Sequence, residues 1–155
     1  MSASTPWLTD DEQHAWRSLA AVTTLLPAAL ENQLQHDAGL THFGYWVLAM
    51  LSEAPGRAVR MSELAALSNG SQSRLSHMVA RLERNGWVSR ERSTQDGRGH
   101  VCSLTPAGYD KLVGAAPGHV GAVRELVFDA LTAEQVAQLD AICSALLARL
   151  AGAPG

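Results

Sequence analysis

The sequence has few of the residues that build metal sites or cross membranes. Its 155 residues include two cysteines, Cys102 and Cys143, whose separation matches neither a C-x-x-C pair nor a zinc site. No run of about 18 apolar residues occurs, and the polar, acidic N-terminus, MSASTPWLTDDE, lacks the form of a signal peptide. We therefore expect a cytoplasmic protein that binds no metal, needs no cofactor and makes no membrane contact.

Motifs of catalysis are also missing. The chain has no G-x-S-x-G motif, phosphate-binding loop, dinucleotide fingerprint or convergent carboxylate pair. Its six histidines are scattered and include no H-x-x-x-H pair. Ser71 and His77 fall on different faces of a predicted helix and form no catalytic dyad. The sequence does not predict an enzyme.

Positive charge is scarce overall but concentrated in the middle of the chain. The net charge of −3 taken alone argues against nucleic acid. Between Arg57 and Pro106, however, eight arginines accompany four acidic residues, whereas the remainder carries four basic and eleven acidic residues. The central segment is the part suited to phosphate groups. With 46% apolar residues, residues 1–155 are expected to form one domain.

A strongly amphipathic helix is predicted after Ser71, which is a good N-cap residue. Leu75, Met78, Val79 and Leu82 recur at i, i+3, i+4 and i+7 and define one apolar face. Asn-Gly then ends the helix, because both residues tolerate a left-handed conformation. Polar and basic residues fall on the other side, namely Ser73, Arg74, His77, Arg81 and Arg84.

A shorter helix precedes this one, with Ser62 as its predicted cap and Asn69-Gly70 as the turn between the two. Two strands follow, at residues 87–92 and 100–104, and the Asp-Gly sequence between them predicts a hairpin. Arg98 lies at the hairpin tip, and the incoming strand carries Arg90 and Arg92. Residues 57–60 are expected to add a short third strand. The pattern is that of a winged helix-turn-helix.

Long helices are predicted on both sides of this segment. Thr9 and Glu12 form a capping box for a helix to about residue 36, which Pro27 should kink or split. Thr41 caps a second helix that runs to about residue 53. After the hairpin, Thr105-Pro106 begins a helix that should bend near Pro117. Thr132 and Gln135 form another capping box, and the last helix carries an apolar stripe of Val136, Leu139, Ile142, Cys143, Leu146, Leu147 and Leu150.

The central segment resembles the DNA-binding core of the MarR family of bacterial transcriptional regulators. The resemblance implies a mainly α fold in which a winged helix-turn-helix lobe, residues 41–105, is flanked by dimerisation helices at 9–36 and 106–151. It implies a homodimer that reads a palindromic duplex, and the unburied apolar stripes favour the same pairing. The matching residues are Leu64-Ala65, Ser71, Ser73, Leu75-Ser76, Met78-Val79, Arg81-Leu82-Glu83, Gly86-Trp87-Val88, Asp96-Gly97-Arg98-Gly99, Leu104-Thr105 and Gly108.

The candidate DNA contacts divide into base-reading and phosphate-binding residues. Arginine and glutamine suit guanine and adenine edges, whereas outlying arginines position the protein on phosphates. The resemblance implies that Arg98 enters the minor groove and that Asp96 orients it. The base-edge candidates are Ser73, Arg74 and His77, with Gln72 and Ser76 behind them, and the remaining candidates are Arg81, Arg84 and Arg92.

The resemblance also implies a small aromatic or phenolic ligand, which members of the family often bind between the dimer helices and the lobe. The residues that could line such a cleft are Trp16, His42, Phe43 and Trp46. The alternative is core packing for the tryptophans and a surface position for His42. Both cysteines are expected to pack in the core. Two functional alternatives stay open: a winged-helix module for protein–protein contact, and a DNA-binding protein without a ligand switch. The family implication is a repressor released from its operator by an effector.

Overall fold

A computed structural model describes residues 6–94, 97 and 99–152 of the chain. It is mainly α-helical with one small antiparallel sheet, as predicted. No helix in these residues is both long and apolar enough to span a bilayer. The elements in chain order are α1 (Asp10–Ala38), α2 (His42–Glu53), β1 (Ala58–Arg60), α3 (Met61–Leu67), α4 (Gln72–Arg84), β2 (Val88–Arg92), β3 (His100–Leu104), α5 (Pro106–Leu126) and α6 (Ala133–Ala151).

Side-chain caps define the start of most helices. The capping boxes at the starts of α1 and α6 are both present, and Thr41, Ser71 and Thr105 each accept a backbone N–H in the first turn that follows. The prediction for Ser62 is wrong. Helix α3 begins at Met61, two residues earlier than a cap at Ser62 would give, with the extended Arg60 at the N-cap position and no side-chain cap. The reason is that β1 leads directly into α3, since Arg60 is still paired with Val101 of β3.

The two internal prolines do not divide their helices. Helix α1 continues through Pro27, and α5 continues through Pro117, so the predicted split of α1 does not occur. Each proline removes one hydrogen bond, to the carbonyl four residues earlier. Pro27 and Pro117 are exposed, as are Thr23 and Val113, which carry those carbonyls. Water can therefore satisfy the freed acceptors.

The sheet has the strand order β1-β3-β2, and the predicted third strand is confirmed. Cys102 lies in the central strand, opposite Val59 on one side and Arg90 on the other. Its side chain is fully buried, as predicted, and burial raises the pKa of the thiol to about 12. A thiol with this pKa is protonated at neutral pH and is a poor nucleophile.

The hydrophobic core lies under the sheet and α4. Its largest fully buried side chains come from every helix of the lobe and from the last third of α1. At about 1.5–3 kcal/mol for each fully buried large apolar side chain, this cluster dominates the stability of the lobe. The members are Leu34, Leu40, Leu48, Leu51, Leu64, Leu75 and Leu82.

A second apolar surface is left uncovered by the single chain. The buried residues of α1 are Leu30 and Leu34 near its C-terminal end, and α6 has no buried residue. Cys143 is exposed, so the expectation that it packs in the core is wrong for the single chain. The exposed large apolar residues of these helices are Trp16, Leu19, Val22, Leu25, Leu139, Ile142, Leu146, Leu147 and Leu150.

Candidate nucleic-acid interface

Helix α4 presents one face to the core and the other to solvent. Leu75, Val79 and Leu82 are buried, and Ser71 fixes the start of the helix by accepting the Arg74 N–H at 3.1 Å. The solvent face offers hydroxyl, amide, imidazole and guanidinium groups, which is the donor set that reads base edges and phosphates. All the predicted contact residues of this helix are exposed, namely Gln72, Ser73, Arg74, Ser76, His77, Arg81 and Arg84.

The hairpin extends from β2 and β3 beside this face. Arg92 is exposed at the end of β2, and the Ser93 N–H donates to the Gly99 carbonyl at 3.1 Å, which closes the hairpin. Gly97 and Gly99 have φ angles of 62° and 82°, a conformation that glycine adopts without strain. The predicted minor-groove pair, Asp96 and Arg98, lies outside the described residues.

A groove of about 290 Å³ separates α4 from the hairpin. Arg60, Arg90 and His100 line it together with Gln72 and Ser76 of α4. Sequence analysis assigned no site role to those first three residues. Their strand positions could have indicated it, because β1 and β3 pair side by side and β2 follows α4 after a short turn. The groove brings three basic side chains from separate strands toward the exposed face of α4.

Glu83 joins α4 to the hairpin. Its carboxylate accepts the Arg90 N–H at 3.2 Å and the Arg90 Nε and Nη2 groups at 3.0 and 2.7 Å. The pKa of Glu83 is lowered, chiefly by the side-chain hydrogen bond from Arg90. Both side chains keep about a third of their surface exposed, so the ion pair itself contributes little to global stability.

A second cavity, of about 420 Å³, opens between the end of α1 and the start of α2. His42, Phe43 and Trp46 line it, and Glu31 and Arg74 border it. The fourth predicted ligand residue, Trp16, does not line this cavity, because it lies three turns earlier in α1, where it is 59% exposed. The structure thus brings together three of the four predicted residues.

Arg74 lies both on the exposed face of α4 and at the border of this cavity. Its guanidinium carbon lies 4.2 Å from the centre of the Phe43 ring, a cation–π distance, while the residue remains exposed on α4. Glu31 opposes this positive charge from α1, and its carboxylate accepts the His42 N–H at 2.7 Å. The cavity is therefore linked to the exposed face of α4 through the Arg74 side chain.

Sequence analysis missed His119, which lies in the glycine- and proline-rich part of α5. The ring is buried, 5.6 Å from the His42 ring and 4.3 Å from the Tyr45 ring. Burial lowers the pKa of His42 and of His119, and the nearby His42 imidazole lowers the pKa of His119 further. Both therefore favour the neutral form. Among the described residues, no group of three or more His, Cys, Asp or Glu side chains could hold a metal ion.

Comparisons with known proteins agree with this architecture. A family model described as MarR family matches residues 40–100. The transcriptional repressor MprA of Escherichia coli strain K12 is 26% identical over 119 residues, which cover 77% of this chain and 67% of MprA.

Two crystal structures from Streptomyces coelicolor are similar over nearly their whole length. Sco3205, a MarR family transcriptional regulator in complex with DNA, is 49% identical with a TM-score of 0.90, covering 94% of this chain and 91% of Sco3205. AbsC, also a MarR family transcriptional regulator, is 41% identical with a TM-score of 0.91, covering 96% of this chain and all of AbsC. This chain therefore belongs to the MarR family of transcriptional regulators and has the winged-helix fold of that family.

Proposed function

We propose that two copies of this chain form a repressor that occupies a palindromic DNA operator. The observation that carries the proposal is the face of α4, where seven polar or basic residues are exposed opposite a buried apolar stripe. A helix with this face fits the major groove, and Arg92 and the hairpin lie beside it for the adjacent backbone or minor groove. A chromosomal target places this role in the cytoplasm.

The relatives support the two parts of this proposal separately. Sco3205 was crystallised with DNA, which supports a duplex as the partner. MprA is named a repressor, which supports repression as the outcome of binding. Arg81 and Arg84, near the end of α4, are proposed phosphate ligands, and Ser73, Arg74 and His77, near its start, are proposed base readers.

The uncovered apolar surface supports the dimer. The exposed side chains of α6 and of the first half of α1 form stripes that the described residues of the single chain leave uncovered. A patch of this kind marks an interface. A two-fold pair joined there would present two α4 helices to half-sites about one helical turn apart. We assign residues 9–36 and 106–151 to pairing and residues 41–105 to DNA contact.

Arg74→Ala and Arg81→Ala should weaken duplex binding in different ways. For a duplex enriched from a random pool by the unaltered protein, Arg74→Ala should cost about 10- to 100-fold in affinity, and much less for random duplex, because it removes a base contact. Arg81→Ala should weaken both duplexes equally and reduce the salt slope by about 1. Fluorescence anisotropy over a salt series measures both effects.

The matched control is Arg124→Ala, which removes the same charge from α5, where Arg124 pairs with Asp129 at 3.4 Å. It should leave both affinities unchanged. If the unaltered protein binds neither duplex at low salt, or binds with no salt dependence, DNA binding is ruled out and the protein-contact alternative gains.

We also propose that the cavity beside His42, Phe43 and Trp46 takes a small aromatic or phenolic effector that releases DNA. The rings supply stacking surfaces, and Arg74 supplies a positive charge at the border. Because Arg74 is also a proposed base reader, an effector that engages it has different affinities for the free and the DNA-bound protein. That difference is what a ligand switch requires.

Thermal denaturation against a panel of aromatic carboxylic acids tests the effector. At about 100 times its dissociation constant, a ligand of the folded state adds about 2.7 kcal/mol, or roughly 5–10 °C in Tm for a chain of this size. Phe43→Ala should abolish the shift, whereas Trp16→Ala, outside the cavity, should preserve it. The ligand-independent alternative is favoured if no compound shifts Tm.

A further inference from the structure

We propose that Glu83 is a positioning residue for DNA binding, which fixes the hairpin at one angle to α4. An acidic side chain beside a DNA-binding face would then strengthen duplex binding. The inference rests on the proposed function, because the duplex is the partner whose affinity it concerns. It is carried by the contacts that Glu83 makes and by where they fall in the sheet.

Glu83 holds the backbone of β2 as well as a side chain. In the order β1-β3-β2, β2 is an edge strand, and the N–H groups on its open side need other partners. The Arg90 N–H donates to Glu83 Oε1, while the Arg90 guanidinium donates twice to Oε2. One carboxylate thus satisfies the strand edge and orients the arginine.

The connection between α4 and β2 contains a glycine in a left-handed conformation. Gly86 has a φ of 75°, and the chain turns there from α4 into the hairpin. The Thr105 hydroxyl donates to the Gly86 carbonyl at 2.6 Å, which fastens the base of the hairpin to the start of α5. Arg90 lies four residues beyond Gly86, so the Glu83–Arg90 contact is a second attachment further along the hairpin, and two attachments define an angle.

The position of Arg90 also shapes the groove described above. Arg90 lines it opposite Gln72 and Ser76 of α4, and His100 lines it from β3. Glu83 therefore determines how a basic side chain of the hairpin and two proposed contact residues of α4 are presented together. If Glu83 releases Arg90, the hairpin and α4 no longer meet the duplex as one preformed surface, and binding must order them.

The direction in which duplex affinity changes when the Glu83 carboxylate is removed distinguishes a positioning role from a purely electrostatic one. DNA is a polyanion, so removal of a carboxylate near the interface should raise affinity if only charge matters. Positioning predicts the opposite result for Glu83. A control for the charge is available at the next acidic position, since Glu91 is exposed on β2 beside Arg90 and takes no part in the contact between Glu83 and Arg90.

The test compares Glu83→Gln with Glu91→Gln in the full chain, against a duplex enriched from a random pool by the unaltered protein, at one salt concentration. Glu83→Gln should bind about fivefold more weakly than the unaltered protein, the size of effect that the loss of a partly exposed ion pair can have. Glu91→Gln should bind equally or more tightly. If Glu83→Gln binds as tightly as Glu91→Gln or more so, the inference is wrong.

A measurement without DNA checks the contact directly. Glu83→Gln should accelerate hydrogen exchange of the Arg90 amide, whereas Glu91→Gln should not, and the Tm of both should stay within a few degrees of the unaltered value. Unchanged exchange at Arg90 counts against the inference. Absence of duplex binding by the unaltered protein would instead remove the proposed function, so the two failures are distinguishable.

Discussion

Gly108→Ala should destabilise the protein by about 3 kcal/mol or more, the largest stability effect that we expect from one added methyl group. Gly108 is in the first turn of α5, where Thr105 accepts its N–H at 3.0 Å. A Cβ at this position would collide with the Trp87 carbonyl oxygen and crowd a methyl of Leu104. The Trp87 carbonyl is main chain and already accepts the Thr105 N–H, so it cannot move aside cheaply.

Thermal and urea denaturation measure this effect, which corresponds to roughly 10 °C in Tm for a chain of this length. Gly114→Ala is the matched control. It makes the same change in the same helix, at an exposed position where a Cβ meets nothing within 4 Å. It should stabilise the protein by about 0.5–1 kcal/mol through helix propensity. Equal effects of the two substitutions would refute the packing explanation.

Ile142→Glu should convert the proposed dimer into monomers and weaken binding to an enriched duplex by about 100-fold, because each half-site must then be bound separately. Ile142 is 58% exposed on α6 in the single chain. The substitution therefore leaves the fold of one protomer unstrained. In a dimer it would place a charge in an apolar interface, which is costly without a partner.

Analytical ultracentrifugation measures whether Ile142→Glu is monomeric, and fluorescence anisotropy measures its affinity for the duplex. Ala141→Glu is the control, since it adds the same charge one residue away, on the opposite side of α6 from the apolar stripe. It should remain dimeric and bind DNA normally. A dimer that persists in Ile142→Glu would show that α6 is not the pairing surface.

Local signals in the sequence were sufficient for most of the fold. The Thr9–Glu12 and Thr132–Gln135 boxes are pairs three residues apart, and both locate helix starts correctly. The apolar face of α4 was equally predictable, because burial of Leu75, Val79 and Leu82 follows from periodicity alone. These features need no knowledge of distant neighbours.

The errors arose where tertiary packing overrides local preference. Pro117 predicted a bend, yet α5 continues through this region and packs along α1 there, and a Cβ on Gly118 would lie 3.3 Å from Gln33 Nε2. The glycine serves close approach of two helices. The cap at Ser62 failed because strand pairing extends to Arg60.

The candidate site, like the fold, was predictable from local sequence patterns only in part. Periodicity predicts which side chains of α4 are exposed, but it cannot bring Arg60 and His100 to the groove, since that requires the pairing of β1 with β3. The His42–His119 proximity joins residues 77 positions apart, and no local pattern indicates it. Trp16 was grouped with His42 by residue type, whereas the rise of α1 separates them.

The uninterrupted length of α1 has a mechanical consequence. Its 29 residues form a rod about 43 Å long, with one end in the uncovered apolar surface and the other in the core of the lobe. A tilt of roughly 5° at one end displaces the other by roughly 4 Å, which is comparable with the spacing of about 3.4 Å between successive base pairs. In the proposed dimer, small adjustments where two protomers meet would thus be magnified to the scale of one step along the double helix.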